Sequence, residues 1–130
     1  MRTRVFTTGI VLHKRKILIL KRSLTAPRYA NTWDNVGGQV KEGEKAEETV
    51  IREAKEESGL KVKIKKAGKV FQFFDKYGRA IAIPYLLTTK TDKVKISFEH
   101  SEYKWIMPNE LKKYQVVKDY IMAAKMFDLL

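Results

Sequence analysis

The sequence predicts an α/β/α sandwich, a mixed β-sheet held between helices, formed by a single domain over residues 1–130. Three observations lead there. Runs rich in Val, Ile, Phe and Tyr recur at strand length, residues 45–58 carry apolar positions at helical spacing and end on Gly59, and a second helical stripe closes the chain.

In chain order, residues 4–13 (RVFTTGIVLH) and 16–22 (KILILKR) read as two strands joined by a basic turn at 14–16. The unbroken run Ile17, Leu18, Ile19, Leu20 marks the second as a central strand buried on both faces. A loop follows at 23–32, then a short strand at 33–38 (WDNVGG) that ends in two glycines, then the helix at 45–58 with Gly59 as its stop. Residues 61–74 alternate like a strand broken at Gly68, and 75–79 (DKYGR) reads as a hairpin turn. The strand returns at 80–90, where Pro84, lacking an N–H, requires an edge or bulged position. Residues 93–99 and 102–107 are two more short strands. A final helical section begins at 108, with Val117, Tyr120, Ile121, Ala124 and Phe127 as its core-facing stripe.

Composition removes several chemistries. With no cysteine, disulfides, thiolate metal sites and cysteine nucleophiles are excluded, and oxygen and histidine remain as metal donors. The early apolar stretch at 5–12 is too short for a membrane span and lacks a cleavage pattern, so a cytoplasmic protein with no membrane partner is expected, as monomer or homodimer. The formal charge is +12, yet seven of the fifteen acids fall between Glu42 and Glu57. Outside that window 24 Lys and Arg face 8 Asp and Glu. The surplus is either a solvated lysine-rich surface or a field that draws polyanions such as nucleotides or RNA.

The acidic helix has its own geometry. With Ala46 at zero on a wheel of about 100° per residue, Val50 falls near 40°, Ala54 near 80° and Ile51 near 140°, which defines the core-facing stripe. Lys45, Glu48, Arg52 and Lys55 lie on the outer half. Glu53, Glu57 and Glu56 fall at about 340°, 20° and 280°, so three carboxylates turn toward the protein body. Like charges at this spacing cost about 0.2–0.5 kcal/mol per pair even when exposed, and burial adds to that, so a cation is required. It is either a basic side chain or a divalent metal. Arg52 points roughly 100° away and is not expected to neutralise all three, although its arm can reach Glu53 or Glu44. Carboxylate-only ligation selects a hard ion, Mg²⁺ or Mn²⁺.

Gly38, Glu44, Arg52, Glu53, Ala54, Glu56, Glu57, Gly59 and Leu60 fit the pattern G-x5-E-x7-R-E-U-x-E-E-x-G-U, with U aliphatic, and on these residues the chain resembles the Nudix (MutT-like) hydrolase family. Every fixed position is filled. Ala54 is smaller than the usual aliphatic residue, and Val36 stands where proline is common. Residues 31–40 resemble the strand before the box and 99–111 the strand and helix start late in the fold, so the likeness spans most of the chain. The resemblance implies the Nudix fold and hydrolysis of a nucleoside diphosphate linked to another group, with Mg²⁺ or Mn²⁺ as cofactor. It implies Glu56 and Glu57 as metal ligands, Glu53 as ligand or general base, and Arg52 with Glu44 in support. The Gly38 carbonyl is a further ligand candidate. Related enzymes use a late glutamate to complete the metal site or as base, and Glu99 is preferred here over Glu102.

Arg22 and Arg28 are the phosphate-contact candidates, each otherwise a surface cation. Asp34 and Asn35 either bond a base edge or serve a turn. Tyr77 lies 17 residues beyond Leu60, as does a tyrosine in dinucleoside polyphosphate hydrolases of the family, and it equally suits a hairpin turn. His13 and His100 read as surface or half-buried, and Trp33, Phe71, Phe73 and Phe74 as packing residues. The expected activity is cleavage of a nucleoside triphosphate, oxidised ones included, to the monophosphate and pyrophosphate. The alternatives are a hydrolase of dinucleoside polyphosphates or RNA 5′ ends, and a non-catalytic nucleotide- or RNA-binding module. The complete set of charged box residues disfavours the last.

Overall fold

The computed structural model describes residues 2–130. Its strands are β1 (Thr3–His13), β2 (Lys16–Arg22), β3 (Trp33–Asp34), β4 (Lys63–Ala67), β5 (Phe71–Asp75), β6 (Gly78–Thr88) and β7 (His100–Ile106), and its helices are α1 (Ala46–Ser58) and α2 (Lys118–Met126), with a 3-10 turn at Pro108–Lys113.

Layering follows from β2. Ile17 and Ile19 join the cluster containing Tyr120, Ala123 and Ala124 of α2, whereas Leu18 and Leu20 join the cluster containing Val50 and Ala54 of α1. Strand alternation thus sends neighbouring apolar residues to opposite faces, and each face is covered by one helix. All four are at most 1% exposed, and burying each contributes about 1.5–3 kcal/mol. The sheet is mixed: β1 runs parallel to β6 from Thr3–Arg79 to Leu12–Thr88, while β1–β2, β2–β7, β4–β6 and β5–β6 are antiparallel. Among the described residues, no helix is long and apolar enough to cross a membrane.

Pro84 is bulge-related but not at an edge. It lies in β6, between β1 on one side and the gap separating β4 from β5 on the other, where its carbonyl accepts the Gly68 N–H at 2.9 Å. The break expected at Gly68 is the same feature seen from the other strand.

Three expectations need correction. Residues 93–99 are not a strand: Val94 and Ile96 do pack on the α1-side cluster, but the Lys95 N–H is spent on the Ser58 carbonyl at the end of α1. Side-chain alternation was correct there, and sheet pairing is what the segment lacks. The last helical section is split, because Trp33 exchanges backbone bonds with Gln115 and Val117 at 2.9 Å and holds the chain extended before α2. Finally, Ile51 is 41% exposed and falls outside the buried stripe of α1, while Glu57 is 4% exposed. The helix is rotated so that it buries a carboxylate and leaves an isoleucine in water.

Candidate active site

The start of α1 is held by Glu48, whose carboxylate accepts the Lys45 N–H at 2.9 Å, and its end by Gly59 at φ 74°, whose N–H returns to the Lys55 carbonyl. Between these ends Arg52 organises the acids. Its Nε and Nη2 grip Glu44 at 2.7 and 3.1 Å, and its Nη1 reaches Glu53 and both oxygens of Glu56 at 3.1 Å. Arg52 therefore reaches Glu44 and Glu53, as its arm allows, and Glu56 as well, but it does not serve Glu57, so it leaves one of the three acids Glu53, Glu56 and Glu57 without a cation among the described residues, as its angular position implies. Its hydrogen bonds, with that of the Thr49 hydroxyl, hold the Glu44 carboxyl down at about 2.

Glu57 is the exception. Among the described residues it takes part in no ion pair, and its Oε1 accepts one hydrogen bond, from the Gly37 N–H at 2.9 Å. Burial first, and then the charge of Asp34, raise its carboxyl well above the ordinary range, with Glu53 and Glu99 adding to the rise. Glu53 is raised too, by burial first; Glu56 and Glu99 push the same way, and Arg52 pulls back. Glu99 is thus close enough to act on both box carboxylates through space. It sits in the turn before β7, where its carbonyl accepts the Ser23 N–H at 3.0 Å.

Two glycines make the approach possible. A Cβ on Gly37, at φ 146°, would fall 2.1 Å from the Thr7 carbonyl oxygen, and one on Gly38 would fall 2.6 Å from the Glu53 carboxyl carbon. The Gly38 carbonyl accepts the Thr7 N–H at 2.9 Å and the Thr7 hydroxyl at 3.4 Å, the longer of which a stronger partner would displace.

Gly37 and Gly38 also line a cleft on the α2 side of the sheet, together with Arg4, Arg22, Arg28, Tyr29, Phe73 and Asp119. Arg22 is engaged by the Asp34 carboxylate and the Arg28 carbonyl, both at 2.8 Å, so it braces the wall. Arg28 takes part in no ion pair among the described residues and is the uncompensated cation of the cleft. Asn35 is 4% exposed and ties the Gly9 N–H to Asp119, an internal brace more than a free base contact. Tyr77 lies outside this cleft, edge-on against Tyr29 at 5.6 Å, in a neighbouring groove. His100 is fully buried, not at the surface, with Nε2 4.0 Å from Asp34.

Arg4, Tyr29, Asp75 and Asp119 escaped the sequence reading. Asp119 carries the strongest electrostatic mark: burial first, then Asp34, raise its carboxyl to about 6, against hydrogen bonds from Thr8 and Asn35 at 2.9 and 3.0 Å. No local pattern announces it, since a lone Asp in the first turn of a helix ordinarily faces water.

The donor set suits a hard divalent cation: Glu57 is buried, has no cation, and is crowded by the acids Asp34, Glu53 and Glu99. Among the described residues no three acidic or histidine side chains are gathered closely enough to cage an ion alone.

The NUDIX domain profile matches residues 3–126. An ADP-ribose pyrophosphatase of Methanocaldococcus jannaschii is 32% identical over 124 residues, covering 90% of this chain and 72% of that protein. An 8-oxo-dGTP diphosphatase of Buchnera aphidicola is 33% identical over 105 residues, covering 80% and 77%. Among solved structures, the MutT protein from Methanosarcina mazei Go1 superposes with a TM-score of 0.84 at 26% identity, covering 97% of this chain and 93% of that one.

Proposed function

The chain belongs to the Nudix hydrolase family, and from that premise we propose that it is a metal-dependent pyrophosphohydrolase whose substrate is a nucleoside triphosphate, oxidised ones included, cleaved to the monophosphate and pyrophosphate. One observation carries the metal-dependent reading: a buried glutamate, Glu57, without a cation among the described residues, raised further by the acids Asp34, Glu53 and Glu99 and bonded to Gly37, which lines the cleft. Buried charge without a partner costs several kcal/mol, and proteins keep it where a ligand supplies the missing charge.

Glu56 and Glu57, with the Gly38 carbonyl, are the groups that would hold Mg²⁺ or Mn²⁺, leaving Glu53 free as base, and the ion when bound would neutralise phosphate oxygens and sharpen a water into a nucleophile near neutral pH. Glu53 accepts the proton of the attacking water, since its raised basicity suits a base that works nearer neutrality. Glu99 completes the carboxylate set. Arg52 fixes the directions of Glu53 and Glu56 and, through Glu44, is itself anchored to Thr49. Arg28 contacts the substrate phosphates, and Tyr29 and Phe73 offer flat apolar faces to the base. The relative named 8-oxo-dGTP diphosphatase supports the triphosphate reading.

The test is a product-resolved assay with Mg²⁺ over nucleoside triphosphates, oxidised nucleotides, dinucleoside polyphosphates, ADP-ribose and triphosphorylated RNA. A triphosphate should give monophosphate and pyrophosphate, and Glu57→Gln should slow it by about 10²–10⁴-fold while leaving the fold intact. Undiminished turnover in the variant would remove Glu57 from the site. Faster turnover of ADP-ribose or RNA than of any triphosphate would overturn the substrate assignment.

A further inference from the structure

Away from the cleft, a concentration of positive charge lies on one border of the sheet. β4 and β5 pair only with β6, so together they leave that border open. Residues 61–76, which contain both strands, carry six lysines and one acid. That acid, Asp75, is spent on Arg4, whose Nη2 donates to its two oxygens at 2.8 and 2.7 Å. Lys63, Lys65, Lys66, Lys69 and Lys76 are all exposed, and none takes part in an ion pair among the described residues.

The same border holds an aromatic ring in water. Along β6, strand alternation places Arg79, Ile81, Ile83, Tyr85 and Leu87 on the α1 face, and only Ile83, Tyr85 and Leu87 of that row pack with the α1 cluster. Beyond the helix the face is open, and there the register sets Phe74 of β5 beside Arg79. Phe74, which its sequence position marks as a packing residue, is 57% exposed. Phe71 and Phe73 alternate to the other face, where they meet the α2 cluster and the cleft. Phe74 therefore lies on the opposite side of the sheet from the cleft.

A row of unpaired cations attracts a linear polyanion, and an exposed ring among them offers a stacking face that a base can use only outside a duplex. Together these fit a single strand of nucleic acid. A second copy of this chain fits poorly, because a two-fold contact would set the stripe against itself, like charge on like. Lysines on an open edge also deter strand pairing, but that role needs no exposed phenylalanine beside them.

We propose that the β4–β5 border and the open α1 face beside it dock single-stranded nucleic acid, with phosphates on Lys63, Lys65, Lys66, Lys69 and Arg79 and a base stacked on Phe74. The strand held there is a partner and not a substrate, and the proposal stands apart from the hydrolase reading.

The test is fluorescence anisotropy in EDTA with a labelled uridine RNA decamer, against the same decamer paired with its adenosine complement. The native protein should bind the single strand with a Kd of about 10⁻⁴–10⁻⁶ M, and the duplex more weakly. Lys63→Gln with Lys65→Gln and Lys66→Gln should lower the slope of log K against log salt by about 2, since each single-strand phosphate contact contributes about 0.7. Lys112→Gln with Lys113→Gln and Lys125→Gln, the same change in charge, should leave the slope as it is. Phe74→Ala should weaken binding by about 5–150-fold without altering the slope, and Phe74→Tyr, which keeps a flat ring, should restore it. Should the variants of the border not fold, photo-crosslinking of a 5-iodouridine RNA to the native protein should mark Phe74. Absence of binding by the native protein, tighter binding to the duplex or to anionic phospholipid vesicles, equal losses in the two lysine sets, or cross-links confined to other surfaces overturns the proposal. All these variants should hydrolyse a nucleoside triphosphate with Mg²⁺ as the native protein does, so failure of hydrolysis in the native protein would strike the hydrolase reading alone.

Discussion

Replacing Glu57 by glutamine should make the protein more stable when divalent ions are absent. The native side chain is 4% exposed, receives one hydrogen bond, from Gly37, and is surrounded by the acids Asp34, Glu53 and Glu99. At neutral pH it is either a buried charge without a partner or a carboxyl protonated against the solution, and both states cost free energy. Glutamine keeps the shape and the acceptor for the Gly37 N–H, removes the repulsion, and turns N–H donors toward the neighbouring carboxylates. The gain should be on the order of 1–3 kcal/mol, or about 4 °C in Tm per kcal/mol for a chain of this size. Saturating Mg²⁺ should reverse the order. A ligand at a thousand times its Kd stabilises the native protein by about 4.1 kcal/mol, more than the variant's gain, whereas the variant has lost a ligand group and responds little. Thermal unfolding of both proteins in EDTA and in Mg²⁺ measures this crossing. A variant that melts lower than the native protein in EDTA would mean that Glu57 is not an uncompensated charge, and the metal assignment would lose its physical ground.

Further predictions follow from other residues. Gly38→Ala places a Cβ 2.6 Å from the Glu53 carboxyl carbon, so kcat should fall about 10²-fold with an unchanged circular dichroism spectrum; normal kcat would show Glu53 free to move. Arg28→Ala should act chiefly on KM, by about tenfold, and a loss confined to kcat would remove Arg28 from ground-state phosphate binding. Asp119 keeps its proton up to about pH 6 in the folded state and releases it near 3.8 when unfolded, so the native state binds the extra proton between these values and loses stability as pH rises through the window. The loss should be on the order of 2–3 kcal/mol, and urea titrations of Asp119→Asn across that window should lack it; equal slopes in both proteins would refute the assignment.

Much of this molecule is legible in the one-dimensional pattern. The Ile17 to Leu20 run announces a strand covered on both faces, and it is divided between the α1 and α2 clusters as strand alternation requires. The spacing of Glu53, Glu56 and Glu57 on a helix implies three carboxylates turned inward; Glu57 is buried and Glu53 half-buried, but the Glu56 side chain is 54% exposed and turns to water, so the inward trio is a pair. The wheel is a poorer guide to reach. It placed Glu44 and Glu53 within reach of the Arg52 arm but missed that the same guanidinium also holds both oxygens of Glu56. Residues 93–99 show the same limit, since alternation reports which side chains face inward and says nothing about whether a neighbouring strand is present to pair.

Local spacing fixed the acidic box, because residues four apart on a helix are neighbours in any fold. The set of side chains that lines the cleft was decided only when distant segments met. Arg4 and Asp75 are 71 residues apart, and Thr8 and Asp119 are 111 apart, yet each pair forms a hydrogen bond within 3 Å. Burial and charge compensation depend on every element that closes over a group, so the chemistry of these side chains is a property of the assembled sheet and helices, and no window of sequence contains it.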